Sequence, residues 1–335
     1  MNDMLIVKKE FDQGIQGYGV GGCCVRDKNI FYFVAHETES EKHPVIEQAE
    51  IKKRIIAFFR DDPEGNRLGI AGFVGFERLM CAAPKKPKAQ LVAVDASGKP
   101  IIYGAGDKEF EDELMSSPTG PIRGGVRRVR TIGDHVYAVS GRRGVCKRNG
   151  EGKWESLCPE IEFETDEDKR DKQTEGWGFD DIDGFSENEL YACGGAGDVW
   201  RMKDGNWKLL EFPTNQELES ICCGGDGKVY IAGRSGTIFV GRDDKWKLLF
   251  KGSISLPYRD LVWYEDKLWG SNSYGLWNLV EDEMVPADLE PEIKVCAGHL
   301  SVADGVMLMA GGNGAAFREE GKWNLIFNVF QEALQ

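Results

Sequence analysis

A repeat with a period of 39 residues constrains this chain more than any other feature. Four segments begin with an aromatic or apolar residue and continue through glycine-rich turns, and their first residues are Tyr191, Tyr230, Trp269 and Leu308. In each segment a glycine lies six residues after the first position, and an aromatic residue follows that glycine. A fixed period of this length indicates that the chain is built from copies of one small structural unit.

Each copy contains four short stretches with the composition of β-strands. In one copy these stretches are SICCGG, VYIAGR, GTIFVGR and KWKLLF, and turn residues separate them. They are rich in β-branched and aromatic residues, which favour strands. A unit of about 40 residues with four strands is typical of one blade of a β-propeller, in which blades pack side by side in a ring.

We therefore predict a single all-β domain over residues 1–335, a seven-bladed β-propeller with four antiparallel strands per blade. The predicted blades span residues 18–71, 72–106, 121–158, 177–213, 214–252, 255–287 and 293–328. Six blades are the main alternative, because the second blade has the weakest pattern. A solenoid of stacked β-units is less well supported, since the ends of the chain show no polar capping units.

Tryptophans recur near the end of the repeat, at Trp154, Trp207, Trp246 and Trp323. Their periodic spacing predicts that they pack between blades rather than form a ligand cage. The hairpin sequence DGNW, which ends at Trp207, resembles a worn form of the Asp-box hairpin of sialidase-type propellers. The leading Ser or Thr of that box is missing here. This resemblance implies a structural role and a propeller fold, and it does not imply sialidase activity.

The Tyr-x-x-Gly-x-x-Gly blades of residues 120–328 are similar to divergent propellers among the immunity proteins of interbacterial toxin systems, such as those of type VI secretion. The resemblance implies a non-enzymatic protein that binds and neutralises a toxin acting in the cytoplasm. The Gly-His and Trp-Asp signatures of WD40 proteins do not recur in the repeats of this sequence.

The charge of the chain excludes some partners. It has 42 basic and 56 acidic residues and a net charge of −14, and its densest basic stretch, residues 123–130, is half apolar or glycine. We therefore expect no direct binding to nucleic acid. The sequence shows no secretory signal and no apolar run of membrane-spanning length, so we expect a cytoplasmic protein without a membrane partner. The nine cysteines fit reduced, buried side chains.

Three long insertions are predicted to lie on one face of the ring. Strands in a blade alternate in direction, so the turns between second and third strands emerge on the same face as the links between blades. Residues 37–53, 106–120 and 159–176 all belong to this set, whereas the turns on the opposite face are expected to be uniformly short. The three insertions hold, in order, five acids with three bases, five acids with one base, and eight acids with three bases.

A single acidic loop is usually only a solvated surface. Three such loops on one predicted face favour a basic protein partner, held on a rigid scaffold and attracted electrostatically. Aromatic residues among the acids are the candidate apolar anchors. The predicted contact residues are Glu109, Phe110, Glu111, Asp112, Glu113, Glu162, Phe163, Glu164, Asp166, Glu167, Asp168, Trp177, Asp180 and Asp181. Alternatively, Trp177 begins the first strand of its blade.

No catalytic, metal-binding or cofactor-binding residue is predicted. The four histidines, which are His36, His43, His135 and His299, have no Ser or Cys partner placed by a motif, and no Cys or His spacing fits a metal site. Two alternatives to the toxin-binding function stay open. The first is a carbohydrate-binding or glycoside-hydrolysing propeller that uses acids such as Asp180, Asp181 and Asp183. The second is a scaffold that assembles several proteins.

Overall fold

The computed structural model describes residues 4–38 and 47–332. Within these residues, 28 strands form seven antiparallel sheets of four strands each, and every sheet is built from four consecutive strands. The prediction of an all-β, seven-bladed propeller is confirmed, and the six-bladed alternative is wrong. Residue 43, one of the four histidines, lies outside the described residues.

Blades 1 to 4 contain the first 16 strands. They are β1 (Tyr18–Asp27), β2 (Ile30–Glu37), β3 (Lys53–Phe59) and β4 (Leu68–Phe73); β5 (Leu79–Ala82), β6 (Leu91–Asp95), β7 (Pro100–Gly104) and β8 (Asp107–Phe110); β9 (Val126–Ile132), β10 (His135–Ser140), β11 (Gly144–Gly150) and β12 (Lys153–Ser156); and β13 (Asp181–Ser186), β14 (Glu189–Gly194), β15 (Asp198–Lys203) and β16 (Asn206–Leu209).

Blades 5 to 7 follow the same plan. Their strands are β17 (Leu218–Cys223), β18 (Val229–Gly233), β19 (Ile238–Arg242) and β20 (Lys245–Phe250); β21 (Asp260–Tyr264), β22 (Lys267–Asn272), β23 (Gly275–Val280) and β24 (Glu283–Pro286); and β25 (His299–Ala303), β26 (Val306–Gly311), β27 (Gly314–Glu319) and β28 (Lys322–Asn328). Four short helices accompany them: α1 (Lys8–Gly14), α2 (Glu167–Gln173), α3 (Pro291–Lys294) and α4 (Val329–Glu332). Within residues 4–38 and 47–332, no helix has the length and apolar character of a membrane span.

The seven blades close into a ring around a central channel. The first strand of each blade contacts the first strand of the next, from β1 through β5, β9, β13, β17, β21 and β25 and back to β1. Each blade buries its two apolar faces against its neighbours in this arrangement, and the first strands line the channel.

The N-terminal segment reinforces the junction between the last and first blades. The amides of Leu5 and Ile6 donate to the carbonyl oxygens of Leu325 and Ile326 in β28, over 3.0 and 3.3 Å. Ile6 and residues of α1 are buried in the apolar cluster that blades 7 and 1 share. The segment therefore pairs with the outer edge of the last blade while it packs on the first.

The repeated residues pack between blades. On the second strands, Tyr191, Tyr230, Trp269 and Leu308 are buried and each contacts the following blade. The tryptophans on the fourth strands are half-buried and contact the preceding blade; these are Trp154, Trp207, Trp246 and Trp323. Each repeat therefore supplies one large side chain to each neighbour, and this fixes the period of the sequence.

Two expectations about the loops are wrong. Residues 106–120 do not all lie between blades, because Asp107–Phe110 form β8 and pair with β7. The sequence did not predict this strand, because a fourth strand lies at the outer edge of its blade and needs few apolar residues. The turns on the opposite face are not uniformly short, since residues 60–67 and 83–90 each form turns of eight residues there. Prolines in both segments interrupt the strand pattern.

Candidate functional site

Two links between blades lie against each other on one face of the propeller. They are residues 111–125, between blades 2 and 3, and residues 157–180, between blades 3 and 4. Arg123 of the first link donates through Nη2 to the carbonyl oxygen of Pro159 in the second over 3.0 Å, and its guanidinium lies 4.9 Å from the ring centroid of Phe163. We call these two segments the link surface. Its contacts bring together two of the three acidic insertions.

The remaining insertion is described only in part. Residues 47–53 lie on the face of the propeller that carries the links. There the carbonyl oxygen of Ala49 accepts a hydrogen bond from the amide of Gly75 in the link between blades 1 and 2. Residues 39–46 of this insertion lie outside the described residues.

Helix α2 and the segment that leads into it carry most of the exposed acids of the link surface. Its N-terminus is capped by Asp166, whose Oδ1 accepts a hydrogen bond from the amide of Lys169 over 3.0 Å. The carbonyl oxygen of Glu162 accepts a hydrogen bond from Gln173 over 2.9 Å. This bond connects the end of the helix to the segment that precedes it. The predicted contact residues exposed here are Glu162, Glu164, Asp166, Glu167 and Asp168. The sequence predicted these acids as a loop and did not predict the helix.

The two predicted aromatic anchors of this link are half-buried. The rings of Phe163 and Trp177 meet edge to face with centroids 6.5 Å apart. Trp177 also lies under the guanidinium of Arg143, which is 3.8 Å from the ring centroid and forms an ion pair with Asp198. Trp177 precedes the first strand of its blade, which begins at Asp181. These aromatics therefore anchor the link to the propeller and leave only part of their surface to a partner.

A second group of predicted residues lies at the end of β8. Phe110 is 58% exposed and stacks on Phe76 at a centroid distance of 5.7 Å. Glu109, Asp112 and Glu113 are exposed around it. Phe110 is therefore the most accessible of the predicted aromatic anchors. Met115, which the sequence analysis did not single out, is 63% exposed in the same link.

Glu111 belongs to the interior of the protein. Its carboxylate forms a buried ion pair with Arg148, with 3.2 Å between Arg148 Nε and Glu111 Oε1, and it accepts a hydrogen bond from Trp154 Nε1 over 3.1 Å. Burial acts to raise the pKa of Glu111, but hydrogen bonds from Arg148, the backbone and Trp154, together with the charge of Arg148, hold this pKa below its usual value. Glu111 therefore ties blade 2 to blade 3, and its side chain does not reach a partner.

Asp181 is also buried. Its carboxylate receives Arg130 Nε over 2.7 Å, and it accepts the amide of Ile221 from the next blade over 3.1 Å. Asp183 repeats this pattern on the amide of Cys223 over 2.7 Å. Carboxylates engaged in this way tie first strands together, and they do not form the free acid and base pair that hydrolysis of a glycoside requires.

The central channel has a cavity of about 830 Å³ lined by the first strands. Arg128 of blade 3 crosses it, with Nη1 at 2.7 Å from Asp260 Oδ1 of blade 6 and Nη2 at 2.6 Å from the carbonyl oxygen of Arg259. Burial acts to raise the pKa of Asp260, but the charge of Arg128 and a hydrogen bond from His299 hold it well below its usual range. Asp180 also lines this channel and is half-buried. It directly precedes the first strand of its blade, so it lies at the same end of the channel as Asp260.

The described histidines serve structural contacts. His299 lies 3.1 Å from Asp260, and His135 lies 2.7 Å from Glu187. His36 lies in β2. Among the described residues there is no group of three or more acids, histidines or cysteines that could hold a metal ion.

Sequence and structure comparisons place this chain near known proteins. It is 30% identical over 234 residues to the immune protein Tsi7 of Pseudomonas aeruginosa, an alignment that covers 69% of this chain and 74% of that protein. No protein-family model matches the chain. The WD40 repeats of RRP9 superpose with a TM-score of 0.57 at 12% identity, covering 94% of this chain and 92% of that one.

Sqt1 of Saccharomyces cerevisiae superposes with a TM-score of 0.54 at 12% identity, covering 94% of this chain and 98% of that one. At this level of identity the two structures show the propeller fold alone.

Proposed function

Because this chain belongs to the family of the immune protein Tsi7, we propose that it is an immunity protein that neutralises a bacterial toxin by binding it through the link surface. The observation that carries the proposal is the meeting of two acidic links on one face of a rigid propeller. Long loops on a rigid scaffold are the usual place for binding, and a propeller offers such loops side by side.

The charge of the link surface supports a basic partner. Residues 157–180 contain nine acids and three bases, and the ion pair between Arg170 and Glu167 is loose, at 3.9 Å. Asp171 is paired with Arg142 over 2.5 Å. Within the described residues Glu162, Glu164 and Asp168 are exposed and form no ion pair. Such a concentration of one sign of charge accelerates encounter with a protein of the opposite sign and helps to orient it.

Exposed apolar side chains supply the second element of a binding surface. Phe110 and Met115 lie among acids, and an accessible apolar residue within a polar rim is the usual arrangement of a binding hot spot. We propose that Phe110 enters an apolar depression on the toxin while the surrounding acids meet its basic residues.

The proposed partner is a toxin domain that acts in the cytoplasm. A toxin that acts on nucleic acid would suit this surface, because its substrate site must attract phosphates and is therefore positively charged. Covering that site with the exposed acids of the link surface would block the toxin. This proposal places the protein in the cytoplasm together with its partner.

The test is a binding titration against a candidate toxin domain taken from the genes that adjoin this one. We expect the triple variant Glu162→Lys, Glu164→Lys and Asp168→Lys to bind at least 10-fold more weakly in 50 mM salt, and we expect the difference to shrink as salt screens the charges. Phe110→Ala is expected to weaken binding at every salt concentration.

The matched control reverses three exposed acids on the opposite face, Asp61→Lys, Glu64→Lys and Glu151→Lys. It changes the net charge by the same amount and should bind within about 3-fold of the wild type. Glu111 and Asp181 are left unchanged in both variants because they are buried. Equal affinities of the two triple variants would refute the role of the link surface.

A further inference from the structure

Three arginines project into the central channel from different blades. Arg78 precedes β5, Arg127 lies at the start of β9, and Arg259 precedes β21. Each lies where the first strand of a blade begins, so all three are at the same end of the channel, on the face that carries the links. All three line the cavity and are exposed to it.

Two of these arginines are unneutralised. Within residues 4–38 and 47–332, neither Arg78 nor Arg127 donates a side-chain hydrogen bond or forms an ion pair. In the described part of the chain, the side chain of Arg259 forms a hydrogen bond with the imidazole of His299, with 3.2 Å between Nη1 and Nε2, and no ion pair. The other arginines of the channel differ, because Arg128 and Arg130 are bound to the carboxylates of Asp260 and Asp181.

The arginines are close enough to repel one another. Partial desolvation in the channel and the charges of Arg259, Arg128 and Arg127 together lower the pKa of Arg78. Like charges held together in a partly enclosed space destabilise the folded protein unless an opposite charge joins them. An anion bound between these arginines would relieve this repulsion.

The acids of the channel end do not fill that role. Asp180 and Glu219 stand on blades 4 and 5, and within the described residues neither forms an ion pair with the three arginines. Burial raises the pKa of both carboxyls; the charge of Asp180 raises that of Glu219 further, whereas the charge of Arg127 acts to lower that of Asp180. Burial therefore disfavours the charged form of both carboxyls, and both residues line the cavity.

We infer that the central channel binds a small oxyanion, a phosphate or carboxylate group of a free ligand, between Arg78, Arg127 and Arg259. The guanidinium group is planar and matches the geometry of phosphate and carboxylate oxygens. The cavity, at about 830 Å³, has the size of a small-molecule site, and the ion pair of Arg128 with Asp260 closes the channel across its width. This site opens on the same face as the link surface and borders it at Asp180, but the inference does not depend on the proposed toxin binding.

The experiment is a calorimetric titration of the full chain with inorganic phosphate, pyrophosphate and citrate in 50 mM NaCl. We expect saturable binding of at least one of these anions to the wild type, and at least 10-fold weaker binding to the double variant Arg78→Gln and Arg127→Gln. Phosphate and citrate separate the two chemical sources of the oxyanion. The control is Lys322→Gln on the exposed outer strand β28, which should bind as the wild type does.

Thermal unfolding supplies a second readout that does not depend on heats of binding. Without anion, the double variant should melt at or above the temperature of the wild type, because repulsion is relieved. Added phosphate or citrate should raise the melting temperature of the wild type and not that of the double variant. No saturable binding of any of the three anions, or equal binding by the double variant and Lys322→Gln, would overturn the inference.

Discussion

At the scale of single residues, buried charges tie the blades together. Glu111 accepts from Arg148 and from the indole of Trp154, and Trp207 makes the corresponding contact with the carbonyl oxygen of Leu157 over 2.6 Å. In both cases the tryptophan of a fourth strand reaches the residue that follows the fourth strand of the preceding blade. Trp154 and Trp207 therefore connect neighbouring blades through hydrogen bonds as well as through packing.

Replacing Glu111 by Ala should destabilise the protein by about 3–5 kcal/mol, because it leaves the buried guanidinium of Arg148 without its counter-charge. Urea unfolding followed by fluorescence measures this free energy. The control is Glu113→Ala, an exposed acid two residues away, which should change stability by less than about 0.5 kcal/mol. A similar small effect of both variants would show that the ion pair contributes little.

A second charged residue makes stability depend on pH. Glu187 accepts from Lys147 Nζ over 2.7 Å, from the amide of Asp134 over 3.0 Å, and pairs with His135. Burial acts to raise the pKa of Glu187, but the hydrogen bonds from Lys147 and His135 outweigh it and hold the pKa at about 2. The carboxylate therefore stabilises the fold above its ordinary pKa near 4.5, and this stabilisation is lost as the pH falls from there towards 2.

We expect Glu187→Gln to lower the free energy of unfolding by about 1–3 kcal/mol at pH 7, since hydrogen bonds to a charged group contribute in this range. The gap between wild type and variant should narrow below pH 4.5, where the unfolded carboxyl takes up its proton. Urea titrations at pH 7, 5 and 3.5 measure it. A gap that stays constant over this range would argue against a charge-dependent contribution.

The sequence could predict the periodic residues and could not predict these ion pairs. The regular spacing of Tyr191 and Tyr230 predicts that they are buried, because each makes the same contact with the next blade. Glu111 stands among exposed acids and looks the same as they do. Its partner Arg148 lies 37 residues away, and only the register of blade 2 against blade 3 brings the two together.

At the scale of elements, most strands followed from the repeat, whereas the exceptions follow from where an element lies in its blade. Strand β8 is at an outer edge, so acids can occupy it without being buried. Its acidic sequence therefore predicted a loop. Helix α2 buries no residue, so it leaves no apolar pattern in the sequence. Both omissions fall in the predicted contact region, where charge rather than packing governs the sequence.

The N-terminal segment is an element with a role in closing the ring. Ile6 is 2% exposed and lies in the cluster shared by blades 7 and 1. Ile6→Ala should lower stability by about 2–4 kcal/mol through the cavity it creates. Hydrogen exchange should also show faster exchange of the amides of Leu5 and Ile6, which donate to β28. The control Lys9→Ala removes an exposed side chain from α1 and should leave both measurements unchanged. Unchanged exchange in Ile6→Ala would mean that the pairing with β28 is independent of this packing.

At the scale of the whole molecule, the closed ring gives every blade two neighbouring blades. In an open row of repeats, the terminal units have one neighbour and unfold first. Here blade 1 contacts both blade 2 and blade 7, so no blade is terminal. The same closure holds the inter-blade links in fixed positions, and it brings the arginines of blades 2, 3 and 6 around one channel.

Whether the closed ring lacks a weak end can be measured with two matched variants. Leu308→Ala weakens the junction of blades 7 and 1, and Ile231→Ala weakens that of blades 4 and 5; both side chains are fully buried. Each should cost about 2–5 kcal/mol, because each leaves a cavity in a closely packed junction. Since the ring has no weak end, we expect both variants to unfold in one transition, with circular dichroism and tryptophan fluorescence giving the same midpoint. If Leu308→Ala instead unfolded in two steps while Ile231→Ala did not, the junction of the chain ends would be a separate, weaker unit, and the ring would behave as a row of repeats.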